Sequence, residues 1–440
     1  MRYKWYVLGL LLALAVVNYI DRLSVYVLQI QIKKELLLSD AQLGLLTGVA
    51  FSIVYTIFSI PLARLADRKS RKYIIAAALA AWSVLTILCG FAAGFISLII
   101  LRMGVAIGEG GSLPASHALI ANYFRRDQRA TALAVWSLSL PLGQMLAFGL
   151  GGWLGEALGW RKVFIVLGVS GVLLSPLVLL TLKEPKRGAT DAWVPSDKPL
   201  PFWESVRILW RFKSMRHAIF GGALCTYVAL VVLNWSAPFY NRVYGASLHE
   251  LGTYLAVMTG AGSSLGMIMG GVTADRLGHA DVRWRMLVPM IGALGFVPLL
   301  FAQFLVVDLY LSLALGVLTL LLAHAFYAPT VACVQTLAPA NLRAFASAIM
   351  VTTFTIFGMS LGPLGTGLIS DYLITKHGMA TESLRYAIVS CAVFALWAAY
   401  HYFRASQLLP GDVELLRGSD MPLSSVVSGT PAEVRVPGKV

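Results

Sequence analysis

The stretch P-L-A-R-L-A-D-R-K-S-R-K at residues 61–72 decides the fold, because its central A-D-R returns in the second half of the chain. The second copy lies at Ala274, within G-V-T-A-D-R-L-G-H. The same spacing relates S-D-A-Q-L-G at Ser39 to S-L-H-E-L-G at Ser247. Pairs at a slightly longer spacing are Pro114 and Pro329, Gly143 and Gly358, Gly152 and Gly367, Glu156 and Asp371, and Asn18 and Asn234. Two copies in the same order predict two similar halves with a binding site at their interface.

The composition of the chain excludes a soluble enzyme. Of the 440 residues, 58% are hydrophobic and only 13% are charged, and the mean hydropathy is +0.76. A soluble domain carries about 25% charged residues. The chain is therefore expected to cross a membrane many times.

Twelve apolar segments are long enough to span the bilayer, which takes about 20 residues of α-helix. They predict an all-α membrane protein with twelve transmembrane helices in two pseudo-symmetric six-helix bundles. The predicted spans are 5–31, 42–65, 73–92, 95–123, 130–155, 161–182, 218–242, 249–274, 286–305, 308–338, 344–371 and 384–403. The predicted parts are an N-terminal bundle at 1–182, a cytoplasmic linker at 183–217, a C-terminal bundle at 218–404 and a tail at 405–440.

The linker and the tail differ in character. The linker contains the Pro-rich P-S-D-K-P-L-P and then an amphipathic stretch in which Phe202, Val206, Leu209 and Trp210 share one face. We expect that stretch to lie along the inner membrane surface. The polar tail, rich in Gly, Pro and Ser, is expected to be disordered.

The distribution of positive charge predicts the orientation of the chain. Most of the 35 Lys and Arg residues fall on the side of both termini. The opposite loops hold only Lys33, Lys34, Arg161, Lys162, Arg242, Lys376 and Arg385. The positive-inside rule therefore puts both termini in the cytoplasm, and we expect a multi-pass protein of the plasma membrane, in a bacterium the inner membrane. The net charge of +14 is then a topology signal that needs no nucleic-acid partner.

The first apolar run is expected to remain as a span. Arg2 and Lys4 resemble the basic start of a signal peptide. However, the run ends in V-V-N-Y-I-D-R, without the small residues that a cleavage site requires.

The loop after the second span carries a family resemblance. Residues 61–72 resemble the loop 2–3 signature of the major facilitator superfamily, with Asp67, Arg68 and the basic pair at 71–72 matching. Ala63 replaces the usual glycine, which the second-half copy keeps as Gly271. The resemblance implies a secondary transporter that works by alternating access, and it covers nearly the whole chain.

Three marks in the first half resemble the Spinster branch of that superfamily. They are N-Y-I-D-R at residues 18–22, R-M-G-V-A-I-G-E-G at 102–110, and P-L-G at 141–143 followed by G-W-R. That branch includes transporters of sphingosine phosphate and lysophospholipids, so the resemblance implies an amphipathic substrate. Acid-base pairs in the first helix also occur in organic-anion symporters, which leaves small organic acids open. The multidrug-antiporter signature matches weakly because Pro141 is misplaced. A receptor without turnover is a third alternative.

Four ionisable residues lie within the first-half spans, where such residues mark function by default: Asp21, Arg22, Arg102 and Glu109. At 1.5 Å per residue, Asp21 lies about 15 Å from the outer surface, between Arg102 at about 10 Å and Glu109 at about 21 Å. The latter two share a helix face with Ser112. Asn18 and Tyr26 lie along the polar side of the first span, and we expect them to bind substrate together with Arg102 and Ser112.

Two readings of these charges stay open. In one, they only pair and lock the first and fourth helices together. In the other, Asp21 and Glu109 carry protons and Arg102 holds an anionic head group, because two buried carboxylates beside one arginine favour a shared proton. Protonation would free Arg102 for the anion. Arg22 has no assigned role, because it points about 100° away from Asp21.

The second half offers uncharged candidates. Asn234 and Tyr240 flank Pro238 in the seventh span, where a bend is expected, and His324 and Tyr327 lie in the tenth. We expect these four residues to line the substrate cavity, with core packing as the alternative.

A cytoplasmic gate is implied by the superfamily pattern. It would consist of Asp67, Arg68, Arg129 and Asp275, the alternative being solvated surface charge. No catalytic, metal-binding or ATP-binding motif occurs, so we expect no cofactor and an ion gradient as the energy source. The four cysteines fall within apolar runs and are expected to be buried and unpaired. The expected partners are protons and a lipid-like small molecule, and the expected state is a monomer.

Overall fold

The computed structural model describes residues 2–185, 201–339 and 342–418, apart from a few side chains within those ranges. Over these residues the chain is all-α, with twelve helical segments long and apolar enough to cross a membrane. All twelve predicted spans are confirmed. The four cysteines are buried.

Six spans form the first bundle. Three of them are single helices, and the second, fourth and fifth are made of two helices each. In chain order the helices are α1 (Arg2–Leu36), α2 (Asp40–Gly44), α3 (Ala50–Arg68), α4 (Arg71–Cys89), α5 (Phe95–Glu109), α6 (Ser112–Tyr123), α7 (Arg126–Ser137), α8 (Ser139–Leu158) and α9 (Trp160–Thr181).

The second bundle also has six spans and follows a short linker helix; its tenth, eleventh and twelfth spans are made of two helices each. The linker helix is α10 (Phe202–Trp210). The bundle consists of α11 (Lys213–Tyr244), α12 (Leu248–Gly278), α13 (Trp284–Leu305), α14 (Leu309–His324), α15 (Tyr327–Leu337), α16 (Arg343–Thr353), α17 (Leu361–His377), α18 (Ser383–Val389) and α19 (Ala392–Gly418).

Interrupted spans occur at equivalent places in both bundles. The fourth span breaks between α5 and α6 at Gly110 and Gly111, and the tenth breaks between α14 and α15 at Ala325 and Phe326. The fifth span breaks between α7 and α8, and the eleventh has a π-helical segment, Phe354–Ser360, between α16 and α17. Such breaks expose backbone groups where a cavity can use them.

The ends of the chain depart in part from the predicted boundaries. The last helix, α19, continues to Gly418, so residues 405–418 are helical where a disordered tail was expected to begin. Buried positions such as Ala405 and Leu409 pack this extension against the second bundle. Residues 419–440 and the Pro-rich part of the linker lie outside the described residues. The amphipathic stretch is helical as α10, with Leu209 buried and Phe202 exposed.

The bundles meet mainly at the end of the spans opposite to that where α1 begins, which we call the distal end. There α8 crosses α12 so closely that a Cβ on Gly152 would collide with the backbone of Leu248 and Gly252. Gly44 lies equally close to the backbone of Pro363. Glycine is needed at both crossings because no side chain fits between the helices. The contacts between bundles leave the opposite, proximal end apart among the described residues.

Candidate functional site

The centre of the first bundle holds two acid-base pairs. The helix α1 presents Asp21 and Arg22 to different neighbours, because consecutive residues are rotated by about 100°. One neighbour is the face of α4 and α5, and the other is the end of α5 together with α3. The two residues therefore enter different ion pairs.

Asp21 belongs to the more deeply buried pair. Its Oδ2 accepts a hydrogen bond of 2.7 Å from Thr86, and its Oδ1 lies 3.5 Å from Nη1 of Arg102. Asp21 is 3% exposed and Arg102 is 2% exposed. Arg102 also donates from Nη2 to the backbone carbonyl of Arg22 at 3.4 Å. The Asp21–Arg102 contact is longer than the Arg22–Glu109 contact.

Glu109 pairs with Arg22. Its Oε2 accepts from Nη2 of Arg22 at 2.6 Å and from Nε at 2.9 Å. Its other oxygen, Oε1, is buried without a hydrogen-bond partner among the described residues. Burying a carboxylate oxygen without a donor is costly. That oxygen is therefore a natural place for a proton or a water molecule.

Aromatic rings separate the two guanidinium groups. The ring centroid of Phe51 lies 4.8 Å from the guanidinium carbon of Arg22 and 5.4 Å from that of Arg102. The ring centroid of Tyr55, one turn further along α3, lies 4.6 Å from the guanidinium carbon of Arg22. These cation–π contacts hold both cations in place without adding negative charge.

A small pocket of about 40 Å³ reaches this cluster from the proximal side. Asn18, Arg22, Tyr55, Ser112 and Ser116 contribute its polar lining. The Nδ2 of Asn18 is buried without a hydrogen-bond partner in the described part of the chain. A pocket of this size holds a few water molecules, which would connect Arg22 and its neighbourhood to the proximal opening.

The pairing differs from the expected one. Both acids were expected to face Arg102, with Arg22 left aside. Instead Arg22 holds Glu109 and Arg102 holds Asp21. The rotation that separates Arg22 from Asp21 aims it at the end of α5, where Glu109 is the last helical residue. The expectation is right for Asp21 and Arg102 and wrong for Glu109, because it treated that rotation as a reason to exclude Arg22.

The candidates from the second half separate into two groups. Asn234 lies at the interface, where its carbonyl accepts from Gln29 at 2.5 Å and its side chain lies near the Tyr26 hydroxyl. Tyr240 instead lies within the second bundle, where its hydroxyl accepts from Gln303 at 3.0 Å and Ser312 at 3.1 Å. The structure thus brings Tyr26 and Asn234 together and leaves Tyr240 away from the charged cluster.

The two candidates in the tenth span lie at its break. His324 is partly buried and its Nδ1 lies 2.9 Å from the carbonyl of Leu320. Tyr327 is 37% exposed and lies close to Tyr19 of α1. Tyr327 therefore lies on the side of the second bundle that faces α1.

The predicted gate is only partly described. The side chains of Asp67 and Arg68 lie outside the described residues. Arg129 donates from Nη2 to the carbonyl of Ala121 at 2.8 Å. Asp275 is exposed, and its carbonyl lies 2.6 Å from Nδ1 of His279. The gate stays a prediction.

A carboxylate next to the predicted gate has a structural partner that the sequence did not reveal. Glu184, after α9, accepts from the backbone N–H of Arg71 at 2.9 Å and from the Ser70 hydroxyl, and so caps α4. Partial burial raises the pKa of Glu184, but these hydrogen bonds outweigh it and hold the pKa below its usual value.

The distal end is closed by a buried latch that sequence reasoning missed. Asp40 accepts from Arg242 at 2.7 and 2.9 Å, from Ser370 at 2.6 Å and also from Lys33. Asp371 accepts from the backbone N–H of Asp40 at 3.0 Å and of Ala41 at 2.8 Å. A carboxylate of the second bundle thus caps a helix of the first.

The internal repeat supplies a second latch at the matching place. Glu156 of α8 accepts from the backbone N–H of His249 at 2.6 Å, and Trp153 stacks on the His249 ring. Glu156 and Asp371 are equivalent in the repeat, which was the signal that could have revealed both latches. Unlike Asp371, Glu156 is exposed.

Comparison with known proteins places these features in a family. The family model described as Major Facilitator Superfamily matches residues 10–363. An "MFS-type efflux pump" of Mycolicibacterium smegmatis (strain ATCC 700084 / mc(2)155) is 34% identical over 94% of this chain and 95% of its own length. The "Probable galactarate/D-glucarate transporter GudP" of Bacillus subtilis (strain 168) is 26% identical over 62% of this chain and 65% of its own.

A solved structure is similar over nearly the whole chain. It is described as "A Bacterial Homolog to Human Lysosomal Transporter, Spinster, in Inward-facing And Unoccupied Conformation". The TM-score is 0.85 at 28% identity, covering 93% of this chain and 98% of that one. The likeness confirms the two-bundle fold and the Spinster-like resemblance.

Proposed function

We propose, from the premise that this chain belongs to the Major Facilitator Superfamily, that it is a proton-coupled secondary transporter of an amphipathic, lipid-like substrate such as a lysophospholipid. Alternating access between the bundles would move the substrate. The observation that carries the proposal is the pair of buried ion pairs, Asp21–Arg102 and Arg22–Glu109, in the first bundle.

The pairs provide a means of coupling. Protonation of Glu109 removes the charge that holds Arg22, and protonation of Asp21 does the same for Arg102. Each freed guanidinium can then bind a phosphate or carboxylate, and binding of that anion in turn favours the protonated acids. Proton and anion thereby promote each other's binding. Both arginines, rather than Arg102 alone, serve as anion ligands.

The surroundings of the cluster support an amphipathic substrate. The charges lie in the first bundle, and Tyr327 of the second lies close to Tyr19 of α1. The aromatic rings of Phe51 and Tyr55 add apolar surface beside the guanidinium groups. A molecule with an anionic or zwitterionic head and an apolar chain would suit these surroundings better than a sugar would.

The orientation follows from the positive-inside rule, with both termini in the cytoplasm. The proximal end then faces the cytoplasm, and the protein adopts a state closed to the outside. Asp67, Arg68, Arg129 and Asp275 would form the inner gate when the bundles rock the other way. Each monomer would carry its own pathway.

Transport by the purified full chain in proteoliposomes with an imposed pH gradient tests this function. We expect saturable movement of a labelled lysophospholipid that is stimulated by the gradient, with glucarate inert. Uptake of glucarate with lysophospholipids inert would instead establish a proton symporter of small organic acids, an alternative that the similarity to the galactarate/glucarate transporter favours. Gradient-driven export of unrelated drugs would indicate a multidrug antiporter, and the absence of any flux would indicate a receptor.

A further inference from the structure

An apolar groove on the outer face of the second bundle lies away from the charged cluster. It has a volume of about 580 Å³ and runs between α11, α17 and α19. Its lining includes Phe220, Tyr227, Leu361, Phe394 and Trp397. The rings of Tyr227 and Phe394, 4.3 Å apart between centroids, contribute to its wall. Because these helices are membrane spans, hydrocarbon chains surround the groove.

The groove runs lengthwise along the bundle. Its lining lies in the proximal half of α11, from Phe220 to Tyr227, and in the part of α19 that packs beside it, from Phe394 to His401. On the eleventh span it continues from Phe357 to Leu368, past the middle of the membrane, which is roughly 16 Å at 1.5 Å per residue. An acyl chain that enters at the proximal end would therefore lie along the groove toward the distal end.

The proximal end of the groove is basic. His401 lines it there, and its Nδ1 lies 2.9 Å from Nδ1 of His217. Arg216 directly precedes His217 on α11, and Arg404 lies about one turn after His401 on α19. Arg216 also lies against Trp210, the last residue of the linker helix α10, at 5.9 Å. Two guanidinium groups and two imidazoles are thus gathered near the proximal end of the groove, where a head group would lie.

Among the described residues, no acid forms an ion pair with Arg216 or Arg404. Asp412, which shares α19 with Arg404, is buried and turned to the start of α11. There it accepts from the backbone N–H of Ser214 at 2.7 Å and from its hydroxyl at 2.6 Å. The basic end is therefore left to attract a phosphate.

We propose that this groove binds an anionic phospholipid of the proximal leaflet, with one acyl chain along α17 and the phosphate between Arg216 and Arg404. Basic pockets between transmembrane helices recognise anionic head groups, each cation contributing favourably near the surface. The lipid would join α10 and the two helices of the second bundle, and it is distinct from the transported molecule.

Native mass spectrometry of the purified full chain with added phosphatidylglycerol or phosphatidylcholine tests the site. We expect one phosphatidylglycerol to be retained in preference to phosphatidylcholine. Arg216→Gln combined with Arg404→Gln should weaken its retention about tenfold or more. Arg276→Gln combined with Arg283→Gln is the matched control, since both residues are exposed at the same end of the bundle, and should retain the lipid.

A second variant protects the test against misfolding. Leu361→Trp adds a ring at the exposed rim of the groove and keeps every charge, and it should also reduce phosphatidylglycerol retention. Equal retention of the two lipids by the wild type would overturn the proposal. So would an equal loss in the control pair, or displacement of phosphatidylglycerol by a zwitterionic lysophospholipid, which would make the groove a substrate site.

Discussion

The two bundles share one plan and differ in charge. At the spacing that relates Asn18 to Asn234, Asp21 and Arg22 correspond to Ala237 and Pro238. At the spacing that relates Pro114 to Pro329, Arg102 and Glu109 correspond to Val317 and His324. These four positions therefore carry carboxylates and guanidinium groups in the first bundle and neither in the second.

The difference teaches that the fold does not require the charges. The second bundle packs the same helices with Ala237 buried and with the His324 ring bonded to its own helix. A buried ion pair often contributes no more stability than apolar residues of the same size. The four charges of the first bundle are therefore expected to serve transport, and the following substitutions test that contrast.

The largest effect is expected from Asp21→Asn. The amide keeps the hydrogen bond from Thr86 but cannot take up and release a proton, so transport driven by a pH gradient should be lost. Uptake into proteoliposomes with and without the gradient measures this. The control is Asn234→Asp, which adds a carboxylate at a buried interface position of the second bundle and should not create new pH-driven transport. Wild-type pH dependence in Asp21→Asn would refute the role of that residue.

Arg22→Gln should come next, with a loss in both stability and transport. It leaves Glu109 buried without its cation, which costs about 3–5 kcal/mol. Thermal unfolding of the purified variant measures the loss. Adding Glu109→Gln should restore most of the stability but not the transport, because the anion ligand stays absent. Recovery of transport in the double variant would show that the pair serves only packing.

Of the two distal latches, the less exposed one at Asp371 should contribute more stability to the distally closed state than the exposed one at Glu156. Asp371→Ala removes the cap of α2 and should destabilise the distally closed state by about 1–2 kcal/mol. The exposed Glu156→Ala should have a smaller effect, within about 0.5 kcal/mol. Spin-label distances between the distal ends of the bundles report the populations of the distally closed and distally open states. An equal shift in both variants would contradict the ranking.

The smallest effect on transport is expected from Glu184→Gln. Since hydrogen bonds lower the pKa of Glu184, its contribution to stability is present above the usual carboxyl pKa and is lost as the pH falls through its own lower pKa. Near neutral pH this contribution is fully present, so the variant should lose it there, while keeping the wild-type pH profile of transport. A changed pH profile of transport between pH 6 and 8 would show that the titrating group lies outside the charged cluster of the first bundle.

The fold was predictable because its signals are long or repeated. Each span is a run of apolar residues, and A-D-R at Ala66 and Ala274 relates the two halves. The extension of α19 past Ala405 was missed, since a polar exposed face conceals the small buried residues that pack it.

The candidate site was predictable in its members and less so in its pairing. Charged residues are conspicuous within apolar spans, and their depths in the membrane follow from the rise per residue of an α-helix. The pairing of arginines and acids depends on the direction of each side chain around its helix axis and on the break at Gly110. Depth in the membrane reveals neither. Thr86, Phe51 and Tyr55 were missed because each is an ordinary residue for an apolar run.

Proton movement during substrate transport tests the central claim most directly. Proteoliposomes containing wild-type protein and an internal pH dye should change internal pH when lysophospholipid is added, in proportion to the substrate moved. Glu109→Gln should bind the substrate but move no proton, whereas His324→Gln, at the equivalent place in the second bundle, should keep most of the proton flux. Undiminished proton flux in Glu109→Gln would contradict the assignment of coupling to the first bundle.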